Sequence, residues 1–419
     1  MHSFKWAAAL IAVATLASCG GSDHNDNDAG TKVKFNSQVS FGDSWSDVGT
    51  YAVGQVAVLK GGKYTINDVG ADGKNAAKNW TELMAEKFGL PAPCAAQTGL
   101  DGSAALGFSV PVVNHPGCTS YAQGGARVSD PVGPRNKLLG TAGGGDLGQL
   151  TVPVVKQIQN HLSAVGGSFK GDEIVFVMGG GNDVTMQLAG LTAGATAAAT
   201  TAVTAAVPGQ IAADIQAGTC VPVDAQASNC QAAAIAKLSA TVGAAAAGAY
   251  VQANSPAAVA AMGTAGTELA GYVKTQIAGK GAKYVVLINL PDASQALEAV
   301  AAGKDTQALI TSMVTTFNTQ LKSGVSDNPR ILYLDMYAFS RDLIVNLGSY
   351  GLLNVSSPAC DLSPAKNPLG FSLICNRSNL APGNVDKYLF ADNSGHLTPF
   401  GYSLVSVYVM KEMAGKGWL

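Results

Sequence analysis

A serine at position 44 has a sequence context that could make it a nucleophile. The segment from Phe41 to Gly49 reads Phe-Gly-Asp-Ser-Trp-Ser-Asp-Val-Gly and places this serine in a turn after a short apolar run. A hydroxyl in such a turn can face a substrate, and the turn's backbone N–H groups can point at a developing oxyanion. A serine hydroxyl is a weak nucleophile and needs a base within hydrogen-bond distance. A bare Gly-Asp-Ser tripeptide is usually an ordinary turn, so the interpretation depends on that base.

The chain contains five histidines, and one of them is the best candidate for the base. His2 and His24 fall in an N-terminal segment that is typical of an export signal and a tether. His115 lies in a loop rich in proline and glycine. His161 lies on a predicted helix, where a structural or solvated role is expected. His396 remains, just before a predicted C-terminal helix, and we expect it to take the serine proton.

Several sequence blocks resemble those of the GDSL (SGNH) family of serine esterases and lipases. They occur in the family's order between residues 39 and 402. Beyond the block at 41–49 they read Ser-Tyr-Ala-Gln-Gly-Gly-Ala at 120–126, Gly-Gly-Asn-Asp at 180–183, Asn-Leu-Pro at 289–291, Tyr-Gly-Leu at 350–352 with Cys360, and Tyr-Leu-Phe-Ala-Asp at 388–392 with His396-Leu-Thr. Ser120 replaces the family's usual asparagine, and the block at 350–352 resembles the lecithinase/hemolysin-like branch. The resemblance implies a three-layer α/β/α, flavodoxin-like SGNH hydrolase fold with a parallel central sheet, over residues 33–419.

The resemblance leaves the third catalytic residue open. In the family an aspartate lies three residues before the histidine, whereas here Asn393 holds that position and Asp392 lies four residues before His396. Asp392 keeps its place after Tyr-Leu-Phe-Ala, so we expect it to orient the imidazole and to stabilise the imidazolium. Asn393 could orient the ring but could not offset its charge. Asp335 is a more distant alternative.

The resemblance also implies an oxyanion hole with three donors. They are the backbone N–H groups of Ser44 and Gly125 and the side-chain amide of Asn182. A glycine lets the backbone approach a substrate closely, and one such donor contributes about 3 kcal/mol to transition-state stabilisation. Gly124 is the rival of Gly125, because the two adjoin. Two neighbouring carboxylates are expected to hold their loops rather than touch substrate: Asp43 and Asp183.

Together these residues predict a carboxylic ester hydrolase, an esterase or lipase that forms an acyl-enzyme on Ser44. No metal or organic cofactor is implied, and the expected partner is a small-molecule or lipid ester. The basic residues nearest to a motif are Arg127 and Arg135, which do not form a visible phosphate-binding cluster, so a general esterase or lipase is favoured over a phospholipase. A phospholipase or an acyltransferase on membrane lipids is the alternative, and acetyl-sugar and polyester substrates remain open. A non-catalytic surface lipoprotein is a rival of a different class.

Apolar runs alternate with helical patterns, and these elements must position the candidate residues. Strands are predicted at 39–42, 173–178, 284–289 and 330–335, and helices at 79–88, 150–162, 308–321 and 398–413. Such alternation is typical of a parallel sheet covered by helices on both faces. Ligands bind at the carboxyl ends of the strands in such sheets, where Ser44 and Asn182 lie. Residues 90–117, rich in proline and glycine, are predicted to be a loop.

Residues from about 185 to 270 form an insertion of different composition. From Thr185 to Ala249 there is no aromatic residue, and alanine, threonine and glycine dominate. Alanine favours helix, and we expect glycine and proline to break the segment into short helices, none long and apolar enough to cross a membrane. The insertion could be a lid over the active site or a helical decoration.

The first 32 residues have the pattern of an exported lipoprotein. Lys5 precedes an apolar run from Trp6 to Leu16, which is too short to cross a bilayer and is typical of a signal peptide. The following Ala-Ser-Cys resembles a bacterial lipobox, which implies lipidation of Cys19; an ordinary signal peptide is the alternative. Residues 20–32 are expected to be a flexible tether. Gly20 after the cysteine favours the outer membrane or cell surface of a Gram-negative bacterium.

The cysteines and the charges bound the remaining function classes. Six cysteines follow Cys19, and an even number in an exported chain favours disulfides. Short loops favour the pairs Cys94–Cys118, Cys220–Cys230 and Cys360–Cys375. The sequence has no Cys-x-x-Cys motif that would indicate a metal site. A formal net charge of −2 gives no basic face for a nucleic acid. The oligomeric state stays open.

Overall fold

The structure, a computed structural model, describes residues 33–220 and 227–419. The predicted signal peptide, the proposed lipidation site Cys19 and the tether at 20–32 lie outside the described residues.

Four parallel strands form the central sheet. The strands of the described residues are β1 (Ser37–Gly42), β2 (Gln97–Asp101), β3 (Ser109–Asn114), β4 (Glu173–Met178), β5 (Tyr284–Ile288) and β6 (Ile331–Leu334). The order of the parallel sheet is β1-β4-β5-β6, with Ser37 opposite Glu173. Residues 119–123 run along the other side of β1. The Ser40 backbone N–H donates to the Thr119 carbonyl at 3.0 Å, and the Gln123 backbone N–H donates to the Gly42 carbonyl at 3.1 Å. Later segments of the chain therefore flank β1 on both sides.

Helices cover both faces of this sheet. They are α1 (Gly54–Val58), α2 (Trp80–Lys87), α3 (Val154–Ala164), α4 (Gly181–Gln216), α5 (Ala227–Leu238), α6 (Ala244–Tyr272), α7 (Leu297–Ala301), α8 (Lys304–Val325), α9 (Met336–Val345) and α10 (Pro399–Gly415). One core contains α3, α6 and α8 together with Val175, Val177, Val285 and Leu287. The opposite core contains α2, α9 and α10 together with Ile174, Phe176, Val286 and Ile288. Because successive strand residues point to opposite faces, these continuously apolar strands supply both cores. The predicted mixed α/β class with a parallel central sheet is confirmed.

Local signals fix the ends of two helices beside the sheet. Asn79 caps α2 and forms a capping box with Glu82, an arrangement that satisfies two free backbone donors. Thr398 caps α10 by accepting from the Gly401 N–H at 3.0 Å, and Pro399 occupies the first helical position, where its missing N–H is not needed. The cap at Thr398 ends the turn that carries His396.

The loop predicted at 90–117 was wrong, because it contains the antiparallel β2–β3 hairpin. Glycine and proline in this segment are typical of a loop, but here the irregular pairing of β2 with β3 accommodates both. The register shifts between Thr98 and Leu100, where Gly99 has φ +155°, as β-bulges permit. The Cys94–Cys118 disulfide joins the two segments that flank this hairpin.

The insertion forms long helices rather than the short pieces expected. Helix α4 has 36 residues and continues through Pro208, and α6 has 29 residues and continues through Pro256. A proline removes a backbone hydrogen bond and bends a helix, but here alanine-rich sequence on both sides and packing of α4 against α6 and of α6 against α8 keep the helices continuous. The segments Gly181–Gln216 and Asn229–Lys280 are also long and apolar enough to cross a membrane by length and composition. The expectation that the insertion contains no such run was therefore wrong.

All three expected cysteine pairs are disulfides in the structure. The Cα–Cα distances are 5.1 Å for Cys94–Cys118, 5.7 Å for Cys220–Cys230 and 5.9 Å for Cys360–Cys375, within the usual range. Structural disulfides persist in oxidising compartments. They indicate a protein that functions outside the cytoplasm.

Candidate active site

The turn after β1 is fixed by close packing and by one glutamine. Gly42 has φ +151°, and a Cβ here would collide with the Met178 carbonyl oxygen of β4. The Gln157 side chain accepts from the Gly42 N–H at 2.8 Å and donates to the Gly42 carbonyl at 2.8 Å. Asp43 holds the following turn by accepting from the Trp45 N–H at 3.2 Å. Ser44 therefore has a defined position at the carboxyl end of the sheet and is 8% exposed.

An unbroken chain of hydrogen bonds joins Ser44, His396 and Asp392. The Ser44 Oγ lies 2.8 Å from His396 Nε2, and His396 Nδ1 lies 2.7 Å from Asp392 Oδ2. Asp392 is fully buried and also accepts from the Ser372 N–H at 2.8 Å. This order of hydroxyl, imidazole and carboxylate can deprotonate a serine.

The two alternatives to Asp392 are placed elsewhere. Asn393 is exposed, and its backbone carbonyl oxygen accepts from the Glu298 N–H at 3.0 Å. Asp335 caps α9 by accepting from the Ala338 N–H at 3.1 Å and accepts from Asn289 at 3.1 Å. Of the three candidates, the structure brings Asp392 to His396.

The turn between Asp392 and His396 accommodates one residue more than the family spacing. Asp392 Oδ1 accepts from the Ser394 N–H at 3.0 Å and the Ser394 hydroxyl at 2.8 Å. Gly395 follows with φ +95°, a conformation that glycine adopts without strain. The Tyr64 ring packs against the imidazole at a centroid distance of 4.9 Å. The carboxylate and the ring are thus held from several sides.

The electrostatics of the pair favour an ionised carboxylate and a basic imidazole. Burial alone would raise the pKa of Asp392, but the charge of His396 and hydrogen bonds from His396 and Ser372 outweigh it and hold this pKa well below its usual range. Burial alone would lower the pKa of His396, but the charge and hydrogen bond of Asp392 outweigh it, with help from Asp43 and Glu298, and raise this pKa. Burial also raises the pKa of Asp43 to about 6. The imidazole is therefore a stronger base than an isolated histidine.

Two backbone donors beside Ser44 are free to bind an oxyanion. Among the described residues, the N–H groups of Ser44 and Gly125 have no hydrogen-bond partner. The Gly124 N–H donates to Asp47 at 2.9 Å, so the rival position is already occupied. Gly125 has φ +79°, and a Cβ there would lie 2.7 Å from the Thr151 side chain. The position requires glycine, and its N–H is available.

Asn182 lies in the first turn of α4 and lines the same cavity as Ser44 and Gly125. Its Nδ2 donates to the Ala126 carbonyl at 2.9 Å, which fixes the amide beside the glycine pair. An amide nitrogen carries two hydrogens, so one remains for a ligand. The three expected donors thus border one cavity.

Buried carboxylates fasten the loops that carry these donors. Asp183 accepts from the Val128 N–H at 3.0 Å and from Arg127 Nε at 3.0 Å, so it holds its loop. Asp47 accepts from the Gly49, Thr50 and Gly124 N–H groups at 2.8–2.9 Å. Asp47 therefore ties the turn after β1 to the glycine pair, a role that sequence reasoning missed although Asp47 belongs to the same block as Ser44.

The site opens into a cavity of about 430 Å³. Apolar side chains from several elements line it: Val184 and Leu188 of α4, Leu290, Ala299 of α7, Ile310 of α8 and Phe390. Among the described residues from α4 to α6, only those within 181–188 contribute to this lining. The first turns of the insertion therefore form part of the cavity wall, and the rest of its described residues do not line the cavity.

Tyr64, Arg135, Glu298 and Phe371 are among the lining residues that the sequence did not single out as parts of the site. They lie in loops and in a short helix far apart in the chain, and no residue pattern predicts that these segments converge. Within residues 33–220 and 227–419, no group of three or more His, Cys, Asp or Glu side chains could hold a metal ion.

No protein-family model matches the chain, and no curated protein matches it significantly. The geometry of the site therefore carries the functional argument.

Proposed function

We propose that the protein is a serine hydrolase of carboxylic esters, an esterase or lipase of the SGNH type with a three-layer α/β/α fold. The single observation that carries the proposal is the hydrogen-bonded chain from Ser44 through His396 to Asp392, which borders a cavity with two free backbone N–H groups. The SGNH fold is supported by the position of the site beside β1, where later segments flank the strand on both sides.

The reaction proceeds in two steps. His396 Nε2 accepts the Ser44 proton as the Ser44 oxygen attacks the ester carbonyl, and Asp392 stabilises the imidazolium. The N–H groups of Ser44 and Gly125 and the amide of Asn182 stabilise the oxyanion. His396 returns its proton to the leaving alcohol, and water then cleaves the acyl-enzyme by the same route in reverse.

The lining of the cavity favours an apolar acyl group. Aliphatic side chains dominate the wall beyond the catalytic residues, and burial of an acyl chain there contributes about 0.8 kcal/mol per methylene. A carboxylic ester with an aliphatic acyl chain is the substrate that this wall fits.

Hydrolysis of p-nitrophenyl esters from acetate to palmitate tests the proposal. We expect Ser44→Ala to lower kcat by about 10⁴-fold or more, because the nucleophile is lost. Ser349→Ala, which changes an exposed serine, should retain wild-type rates. A fluorophosphonate probe should label the wild type and leave Ser44→Ala unlabelled.

An oxidised, folded wild type that neither turns over any of these esters nor reacts with the probe would exclude the hydrolase. The chain-length optimum would separate a short-chain esterase from a lipase.

We also propose that the exported protein is anchored in a membrane through a lipid on Cys19. The three disulfides support export, and the sequence pattern at 16–19 supports the anchor. Detergent-phase partitioning of the protein, lost in Cys19→Ser, is the expected result.

A further inference from the structure

Arg135 is an arginine at the wall of the catalytic cavity, which it lines together with Ser44 and His396. Its guanidinium lies over the Phe371 ring at 3.8 Å from the centroid. Stacking of this kind fixes a planar guanidinium and leaves its edge donors free. The Arg135 backbone has φ +63°, a conformation that non-glycine residues rarely adopt. The contact with the Phe371 ring holds the guanidinium in place.

The donors of Arg135 have no protein partner in the part of the chain that the structure describes. Within residues 33–220 and 227–419, neither a side-chain hydrogen bond nor an ion pair involves its guanidinium. Arg127 differs, since it binds Asp183 at 3.0 Å, Asp130 at 2.8 Å and the Val132 carbonyl at 3.3 Å. Of the two arginines near the motifs, Arg127 is engaged in structural contacts, whereas the guanidinium of Arg135 has no hydrogen bond or ion pair among the described residues.

The guanidinium of Arg135 is also partly removed from water. Burial lowers its pKa, and the nearby Tyr64, Asp392 and Glu298 act in the opposite direction. A partly buried cation without a counter-ion is unfavourable, and an anion that binds to it relieves this penalty. Asp392 is committed to His396, and Glu298 forms no ion pair with Arg135 within the described residues. The position is therefore available to an anion from a ligand.

A row of aromatic rings places Arg135 on the histidine side of the site. The Phe371 ring under Arg135 lies 6.0 Å from the Tyr64 ring, which packs 4.9 Å from the His396 imidazole. The alcohol of an ester leaves beside this imidazole, because the imidazole protonates it. An anionic group that reaches Arg135 would therefore belong to the alcohol part of the substrate.

We propose that Arg135 is a specificity-determining residue that binds an anionic group, a carboxylate or a phosphate, on the alcohol part of the ester. This inference rests on the proposed ester hydrolysis. The aliphatic wall then receives the acyl chain, and Arg135 receives the charged end of the alcohol.

Matched aryl acetates test this inference. The anionic substrates are 4-acetoxybenzoate and 4-acetoxyphenyl phosphate, and the neutral control is 4-acetoxybenzamide. For the acyl side, p-nitrophenyl hemisuccinate is compared with p-nitrophenyl butyrate. The enzymes are the wild type, Arg135→Gln, Arg135→Lys and Lys137→Gln. The last substitution removes an exposed positive charge that lies two residues along the chain from Arg135 and pairs with Asp101 of β2.

We expect Arg135→Gln to lower kcat/KM for at least one anionic acetate by about 10- to 100-fold more than for the neutral acetate, as for a lost hydrogen bond to a charged group. The anionic-to-neutral ratio of kcat/KM in Arg135→Lys should lie between those of the wild type and Arg135→Gln, because an ammonium keeps the charge but lacks the planar donors of a guanidinium. Lys137→Gln should keep the wild-type ratio. The anionic substrate whose kcat/KM depends on Arg135, the carboxylate or the phosphate, identifies the anion that Arg135 binds.

An anionic-to-neutral ratio that is the same in the wild type and Arg135→Gln would overturn the inference. A dependence on Arg135 that is confined to the hemisuccinate pair would overturn it as well, since the anion would then lie on the acyl side. These results differ from a failure of the proposed function, in which the wild type hydrolyses neither neutral nor anionic esters.

Product inhibition gives a second measurement that does not require a folded variant. Against p-nitrophenyl acetate hydrolysis by the wild type, 4-hydroxybenzoate should inhibit at least tenfold more strongly than 4-hydroxybenzamide. Equal inhibition by the two compounds would overturn the inference.

Discussion

At the scale of single residues, the turn before His396 explains how a carboxylate four residues away can serve the imidazole. Asp392 uses one oxygen for the backbone and hydroxyl of Ser394 and the other for His396 Nδ1. The first oxygen closes a turn and the second orients the ring. Asn393, which follows Asp392, is exposed to solvent. The extra residue in the turn therefore leaves the contact between Asp392 and His396 intact.

Asp392→Asn should lower kcat for ester hydrolysis by about 10⁴-fold, because an amide can hold the wrong imidazole tautomer and cannot offset the imidazolium charge. The pH–rate profile should change too. Asp392 raises the pKa of His396, and the rate falls as the base becomes protonated, so the acidic limb of kcat/KM should move to lower pH in the variant.

Asn393→Ala is the matched control, since it truncates the neighbouring exposed side chain and leaves the backbone in place. Its kcat should stay within about twofold of the wild type, in the range of a neutral surface substitution. A loss in Asn393→Ala as large as that in Asp392→Asn would mean that Asn393 is the working partner.

The sequence predicted the individual site residues unevenly, for physical reasons. Ser44 and His396 have local signals, a glycine-opened turn and a histidine before a helix cap. The choice between Asp392 and Asn393 depends on the path of one turn, which the sequence does not specify. Arg135 was noted only as a basic residue near a motif, and its contact with the Phe371 ring results from the folding of two long loops.

At the scale of elements, the packing of α6 on α8 depends on small residues. A Cβ at Gly266 of α6 would collide with the Phe317 carbonyl oxygen of α8, and a Cβ at Gly324 would lie 2.5 Å from the Ala270 Cβ. Close approach of the two helix backbones buries Met262 and Leu269 against the sheet. The insertion is therefore attached to the core through its second long helix.

Gly266→Ala should lower the free energy of unfolding by about 1–3 kcal/mol, the usual consequence of overpacking. Gly271→Ala is the control in the same helix, where a Cβ would have no neighbour within 4 Å. It should raise stability by up to about 1 kcal/mol, because alanine favours helix over glycine. Urea denaturation followed by circular dichroism measures both. Equal changes in the free energy of unfolding for the two substitutions would show that helix propensity, not contact with α8, determines the effect of Gly266→Ala.

Prediction of the elements succeeded where burial alone determines the structure. The apolar run at 173–178 is the strand β4 without any shift, since a strand buried on both faces is apolar throughout. The β2–β3 hairpin was missed because its strands are short and contain glycine and proline. The helices of the insertion were predicted too short because glycine and proline were expected to end them. Packing against neighbouring helices instead keeps α4 continuous at Pro208 and α6 continuous at Pro256.

At the scale of the whole molecule, the site depends on segments that the sheet and one long loop bring together. The strand ends supply Ser44 and Asn182, and the segment beside β1 supplies Gly125. The region between α9 and α10 has no long helix or strand, and the Cys360–Cys375 disulfide and a small core around Val385 hold it. It carries Phe371 and Ser372 to the site, so order in this loop supports both Asp392 and Arg135.

The stability of the whole molecule should depend on pH through His161, which is 3% exposed and packs among Phe41, Tyr121 and Phe169. Burial lowers its pKa to about 4 from an ordinary value of 6.5, and its Nδ1 has no hydrogen-bond partner in the described structure. Between these pH values the unfolded chain binds a proton that the folded protein does not, so stability falls as the pH falls from 6.5 to 4. The contribution of this histidine over that range is about 3 kcal/mol.

His161→Phe should remove this contribution, because a phenyl ring fits an aromatic environment and does not titrate. Asp43, with its pKa raised to about 6 by burial, acts in the opposite direction in the same range, so the informative quantity is the difference between variant and wild type. We expect the variant to gain stability relative to the wild type as the pH falls from 6.5 to 4, measured by urea denaturation at each pH.

His115→Gln, at a half-buried histidine that contacts Thr98 at 2.8 Å, is the control and should follow the wild type. If His161→Phe also follows the wild type, the folded protein must accept a proton at position 161 without penalty, and burial of His161 is not the source of a loss of stability between pH 6.5 and 4.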